Sequence, residues 1–145
     1  MAKLAPGGPV YQAGTLSGNQ LAMSAGLDTV EALHQEGVYS VLDARAAQLA
    51  AGLAVAIHEA GVTACQTRVG SMLGLFFQAG PVTDYTSAAR SDTQAYARFF
   101  HEMLKRGVYL APSQFETLFV SLAHTDEQIE ATIAAAGESL KALGD

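Results

Sequence analysis

Apolar residues return at two different periods along this chain, and the change of period divides it. Over residues 20–35, Met23, Leu27, Val30 and Leu33 recur at spacings of three and four, which predicts a helix with one apolar stripe. Gly26 interrupts it at a cost in helicity, so close packing is expected there, and Gly37 is expected to end it. Leu42, Ala46, Leu49, Leu53 and Ile57 make a second stripe over residues 41–60. Gly61 follows as the left-handed residue that commonly closes a helix. The period then shortens. Residues 62–69 read as a partly polar strand, and residues 70–77 as a strand apolar on both faces, hence central or covered. Gly74 leaves room for something close against the sheet. Residues 78–90 read as a loop with few core anchors. Ser91 with Gln94 predicts a capping box ahead of a third helix, whose apolar face is Tyr96, Phe99, Phe100, Met103 and Leu104 and whose stop is Gly107. Residues 108–110 and 119–122 predict very short strands on either side of a Pro112-Ser113-Gln114 turn. Thr125 and Gln128 predict a further capping box, before a last helix striped by Ile129, Ile133, Ala136 and Leu140.

The predicted order is helix, helix, strand, strand, helix, strand, strand, helix. That order implies an α+β lobe with helices packed on a small, largely antiparallel sheet. Residues 1–9 have no period of their own; Pro6-Gly7-Gly8-Pro9 is turn material. Such a lead suits either a free-standing domain or an extended entry into one lobe of a longer chain.

Composition narrows the function classes. Half of the 145 residues are apolar, enough for one compact core. A net charge of −6 argues against a nucleic-acid surface. A single cysteine, Cys65, excludes an internal disulfide and a thiolate metal cluster. No apolar run reaches the length that spans a bilayer, and the start lacks a signal peptide's basic and apolar blocks, so a cytoplasmic setting is the expectation.

The stretch with most chemistry is residues 11–19, YQAGTLSGN. Gly14 and Gly18 allow backbone angles that other residues avoid, and Ser17 and Asn19 are candidate caps for the helix behind them. Free N–H groups at a helix start, with hydroxyls beside them, form a place for an anion such as phosphate. A merely capped loop would look the same. The stretch is neither a nucleotide-triphosphate loop nor a dinucleotide fingerprint.

Other candidates are sparser. Lys3, Lys105 and Lys141 are the only lysines; two end helices, where they favour the dipole, and none sits in an apolar setting that would make it a nucleophile. His34, His58, His101 and His124 show no metal-ligand spacing, so no metal site is expected. Cys65 reads as small apolar packing. Arg68 could hold a carboxylate or simply pair on the surface. Glu116 stands in the turn after Pro112-Ser113-Gln114-Phe115, where a carboxylate faces either solvent or a cleft.

Three stretches together carry a resemblance: YQAGTLSGN at 11–19 with the helix LAMSAGLDTVEAL behind it; RVGSMLGLFF at 68–77 with PVTDYTSAARSDTQAYARFFHEMLKRGVYLAPSQFE at 81–116; and FVSLAHTDEQIEATI at 119–133. Over nearly the whole chain they resemble the glutamate-1-semialdehyde aminomutases, pyridoxal-phosphate enzymes of tetrapyrrole synthesis. The first stretch alone points to the wider class-III aminotransferases. The GSM-x-G-x-FF strand and the RGVYLAPSQFE turn narrow the likeness.

The resemblance implies a fold-type-I homodimer, of which residues 20–145 would be the C-terminal small domain and residues 1–19 the lead into it. It implies a longer chain, whose large cofactor-binding domain and cofactor-linking lysine lie upstream, so that this segment alone would be inactive. It implies that Gly14 and Thr15 reach the phosphate of pyridoxal or pyridoxamine phosphate held by the neighbouring subunit, and that Glu116 lies near the active site, where ordinary aminotransferases often present an arginine. The implied partners are the remainder of the enzyme chain, a second subunit and a small-molecule substrate, without nucleic acid or membrane. One departure is Gln20, where the family usually has a proline suited to the first helical turn. Two other readings fit the same pattern of elements: a piece of another class-III ω-aminotransferase, and a non-catalytic α+β interaction module.

Overall fold

A computed structural model describes residues 1–144, in two compact units that divide between Glu36 and Gly37. In the first unit, Ala5 N–H donates to the Val10 carbonyl at 2.9 Å and Val10 N–H to the Lys3 carbonyl at 3.0 Å, closing the Pro-Gly lead on itself. Helix α1 follows at Gln20–Leu33. Asn19 is its cap: the side-chain oxygen accepts from Ala22 N–H at 3.0 Å. Ser17 takes no part in capping. Gln20 starts the helix without the restraint of a proline. Nothing crowds Gly26, and none of α1 is buried, so the expectation of close packing there does not hold. His34, not Gly37, caps the helix end.

The second unit is built on helix α2, Val38–Ala60, which Gly37 introduces and Gly61 closes, both at positive φ. Its buried residues include all five of the predicted stripe. By length and hydropathy α2 would pass as a membrane span, the one such helix among the described residues; here its apolar stripe belongs to the domain core. Strands β1, Cys65–Val69, and β2, Met72–Phe76, form a hairpin in which Arg68 pairs with Leu73. The two-residue connection places Gly70 at φ +56°, a backbone that twists with the strands. Strand β3, Leu118–Phe119, adds antiparallel to β2, so β2 is central as its apolar faces predicted. Helix α4, Thr93–Lys105, and helix α5, Asp126–Lys141, complete the layer. Phe99, Met103, Ala136 and Leu140 from these helices meet Leu49 and Leu53 of α2 and Leu73 and Leu75 of β2 in one core.

Several expected elements differ. Residues 78–90 are not all loop: a short helix α3, Tyr85–Ala88, forms there with a capping box between Asp84 and Ser87. Four residues are too few to show a period. Asp92, not Ser91, caps α4, accepting from Gln94 N–H and Ala95 N–H at 2.8 and 3.0 Å. A carboxylate one residue nearer the helix outcompetes the hydroxyl, and Ser91 is buried instead. Residues 108–110 are not a strand, although Val108 and Leu110 still pack on the core. The capping box at Thr125 and Gln128 forms as expected. Phe100 is half-buried and Leu104 exposed, so α4 buries Ala95, Tyr96, Phe99 and Met103.

Candidate functional site

In the first unit, residues 15–18 form a turn directly before α1. Ser17 N–H donates to the Gly14 carbonyl and Asn19 N–H to the Leu16 carbonyl, each at 3.0 Å. These bonds use the later amides of the turn. Among the described residues neither the N–H nor the hydroxyl of Thr15 has a partner, and Thr15 is exposed. A Cβ at Gly14 would stand against the hydroxyl of Ser17, an exposed side chain that can turn aside. The turn therefore offers a free N–H, a free hydroxyl and a backbone without side-chain cover. That arrangement fits an anion of phosphate size.

In the second unit, the sheet carries its core on one side and a groove on the other. Thr67, Val69, Met72, Gly74 and Phe76 line this groove of about 230 Å³ with residues 114–117. Gly74 lies opposite Thr67 in register. A Cβ there would meet the Thr67 hydroxyl at 2.6 Å and the Phe76 ring at 2.9 Å, so the expected close neighbours of Gly74 are these two side chains. Arg68 also lines the groove, with its guanidinium paired: it donates to the Asp43 carboxylate at 2.7 Å and to the Gly70 carbonyl at 2.9 Å. Glu116 is the negative charge on the rim. Its side chain is exposed, and its N–H donates to the Ser113 carbonyl at 3.0 Å, closing the turn.

Two features near Glu116 were missed by pattern alone. The Tyr96 ring belongs to the α4 stripe, but its hydroxyl donates to the Ala111 carbonyl at 2.7 Å, at the entrance to the Glu116 turn. A tyrosine in an apolar stripe signals only burial; its hydroxyl's need for a partner was the usable cue. Gln114 is 3% exposed and its carboxamide has no partner among the described residues, so a turn residue that read as polar surface is packed inward.

The remaining candidates of the second unit do not line the groove. Lys105 donates to Glu102 at 2.6 Å and Lys141 to Glu138 at 3.4 Å. Lys105 and then Arg106 hold the Glu102 carboxyl below its ordinary range. His124 Nδ1 accepts from Ser121 N–H at 2.9 Å. Burial pushes the Cys65 thiol up, away from the reactive thiolate. Among the described residues no group of three or more His, Cys, Asp or Glu is placed to hold a metal.

The chain as a whole is similar to known proteins. The chain is 55% identical over 141 residues to the glutamate-1-semialdehyde 2,1-aminomutase of Desulforudis audaxviator, covering 97% of the chain and 33% of that protein. It is 54% identical over 143 residues to the enzyme of the same name from Roseiflexus castenholzii, covering 99% and 33%. Over the length it spans, the chain belongs to the glutamate-1-semialdehyde 2,1-aminomutase family. It spans about a third of the length of the curated relatives it matches. No family model matches it. Among solved structures, a glutamate-1-semialdehyde-aminomutase from Pseudomonas aeruginosa in complex with PMP superposes with a TM-score of 0.79 at 24% identity, covering 95% of this chain and 31% of that one. The fold is thus the α+β small domain of a fold-type-I aminotransferase, as its pattern of elements and its resemblance predicted.

Proposed function

We propose that this chain is the small-domain part of an enzyme that converts glutamate-1-semialdehyde to 5-aminolevulinate for tetrapyrrole biosynthesis in the cytoplasm. One observation carries the reading: aminomutases match almost the whole chain at 52–55% identity, the PSQFE turn with Glu116 included in the matched span. Pyridoxal phosphate, entering in its amine form, supplies the amino group and the electron sink for this chemistry. The chain's own contribution is position and charge.

The Thr15 N–H and hydroxyl, with uncovered Gly14, would hold the cofactor phosphate of a neighbouring subunit, so the partners are the rest of the enzyme chain and a second copy of it. Residues 1–19 are on this reading the lead that carries the phosphate loop, and the residues after them form the small domain. Glu116 sets a negative charge at the groove rim. There it disfavours the carboxylates of an external 2-oxo acid by like-charge repulsion, which keeps the amino group for the semialdehyde. With three lysines, two of them at helix ends and ion-paired, the segment alone has no group fit to link the cofactor and would be inactive.

The test is the full-length protein, supplied with glutamate-1-semialdehyde and no external amino acceptor. Formation of 5-aminolevulinate is expected. No product, together with brisk amino transfer between an added donor and acceptor, would replace this reading by an ω-aminotransferase.

A further inference from the structure

Glu116 takes its place from the turn that carries it, and that turn is held by the inward packing of Gln114, whose carboxamide makes no hydrogen bond among the described residues, and by few hydrogen bonds. Glu116 N–H bonds to the Ser113 carbonyl at 3.0 Å and Phe115 N–H to the Ser113 hydroxyl at 3.2 Å. Both bonds close the turn on itself. Phe115 is exposed and meets the Tyr85 ring at 6.2 Å. Among the described residues, one hydrogen bond links residues 111–116 to a helix: Tyr96 Oη donates to the Ala111 carbonyl at 2.7 Å.

The donor is rigid. Tyr96 is 4% exposed, lies one turn into α4, and stands edge-on to Phe77 with centroids 6.3 Å apart. The acceptor is placed to matter, because Ala111 is followed by Pro112, whose ring fixes φ. Orientation set at Ala111 therefore passes into the turn with little slack. We propose that Tyr96 is a positioning residue for Glu116: its hydroxyl fixes the entrance of the turn and so sets where the Glu116 carboxylate stands on the groove rim. The inference rests on the reading of Glu116 given above. The bond is a durable one. Burial, and secondarily the Glu116 charge, push the Tyr96 phenol up to about 12, so the donor keeps its proton at any pH where the enzyme would be assayed.

The experiment uses the full-length enzyme and Tyr96→Phe, which keeps the ring against Phe77 and removes the hydroxyl. The readout is the ratio of 5-aminolevulinate formation to amino transfer onto an added 2-oxo acid. General loss of structure lowers both rates and leaves their ratio alone. The ratio should fall by about three- to tenfold, the span of one neutral hydrogen bond. Glu116→Gln should lower it similarly, and the double variant no further than Glu116→Gln alone, because coupled residues are not additive. An unchanged ratio in Tyr96→Phe, or independent multiplication of the two effects, overturns the proposal. Hydrogen exchange on the same variant gives a second decision: the Glu116 amide should exchange faster while the α4 amides keep their protection, and an unaltered Glu116 amide rejects the anchoring role. If Glu116→Gln alone leaves the ratio unmoved, the reading of Glu116 falls, and the exchange result still decides whether Tyr96 sets the turn.

Discussion

Thr15 and Tyr96 show how much a single polar group can carry. The Thr15 hydroxyl has no partner among the described residues, so removing it should leave the fold unharmed. Thr15→Val in the full-length enzyme should weaken retention of pyridoxamine phosphate by up to about tenfold, equal to about 1.4 kcal/mol, with thermal stability unchanged; equilibrium dialysis and a melting curve check both halves. Unchanged affinity would leave the Thr15 N–H as the phosphate contact. The Tyr96 phenol is raised from 10.0 to about 12, first by burial and then by the Glu116 charge. Its proton is lost later in the folded chain than in the unfolded one. Stability is therefore whole below pH 10 and falls as pH rises toward about 12. Alkaline unfolding followed by circular dichroism should show this slope, and Tyr96→Phe should remove that part of it.

At the scale of elements, close fit and caps decide more than propensity. Gly52 lies in α2, where a Cβ would collide with Cδ1, Cγ1 and Cγ2 of Ile133 on α5. Alanine is a better helix former than glycine by about 1 kcal/mol, yet overpacking costs about 1–3 kcal/mol. Gly52→Ala should thus destabilise the domain, and Ile133→Ala in the same chain should recover part of the loss; urea titration distinguishes this from a simple gain in helicity. Helix α3 depends on Asp84, whose carboxyl is held below its ordinary 3.8, first by the Ser87 N–H and then by the Ser87 hydroxyl. A depressed carboxyl contributes above its unfolded pKa and loses that contribution as pH falls through the folded one. Amide protection at Ser87 and Ala88 should decline below about pH 3.8, before the protection of α4. A loss shared equally by both helices would contradict a local cause.

At the scale of the molecule, the second unit has a core and the first has an exposed stripe. Phe99 is 1% exposed at the centre of that core. Phe99→Ala should cost about 3–5 kcal/mol, a large share of a total near 5–15 kcal/mol, and should leave the isolated segment unfolded or nearly so in a thermal scan. Met23, Leu27 and Val30 on α1 are 63%, 58% and 49% exposed, which makes the isolated segment prone to associate through that stripe. Replacing all three by glutamine should raise its solubility without altering the melting of the second unit.

The sequence by itself determined the elements long enough to repeat a period. The α2 stripe of Leu42, Ala46, Leu49, Leu53 and Ile57, the central strand and the Thr125 capping box each follow from local rules, because helix and strand geometry map spacing directly onto a face. The sequence also carried the motifs around Gly14, Thr15 and Glu116 on which the family likeness stands. The tertiary structure decided what depends on neighbours far along the chain. It placed Thr67 and Phe76 against Gly74, gave Arg68 to Asp43, chose Asp92 over Ser91 as the α4 cap, and turned Gln114 inward. It alone joined the Tyr96 hydroxyl to Ala111, fifteen residues away. A buried donor must find an acceptor, but which one it finds is set by packing between elements, and no periodicity records that.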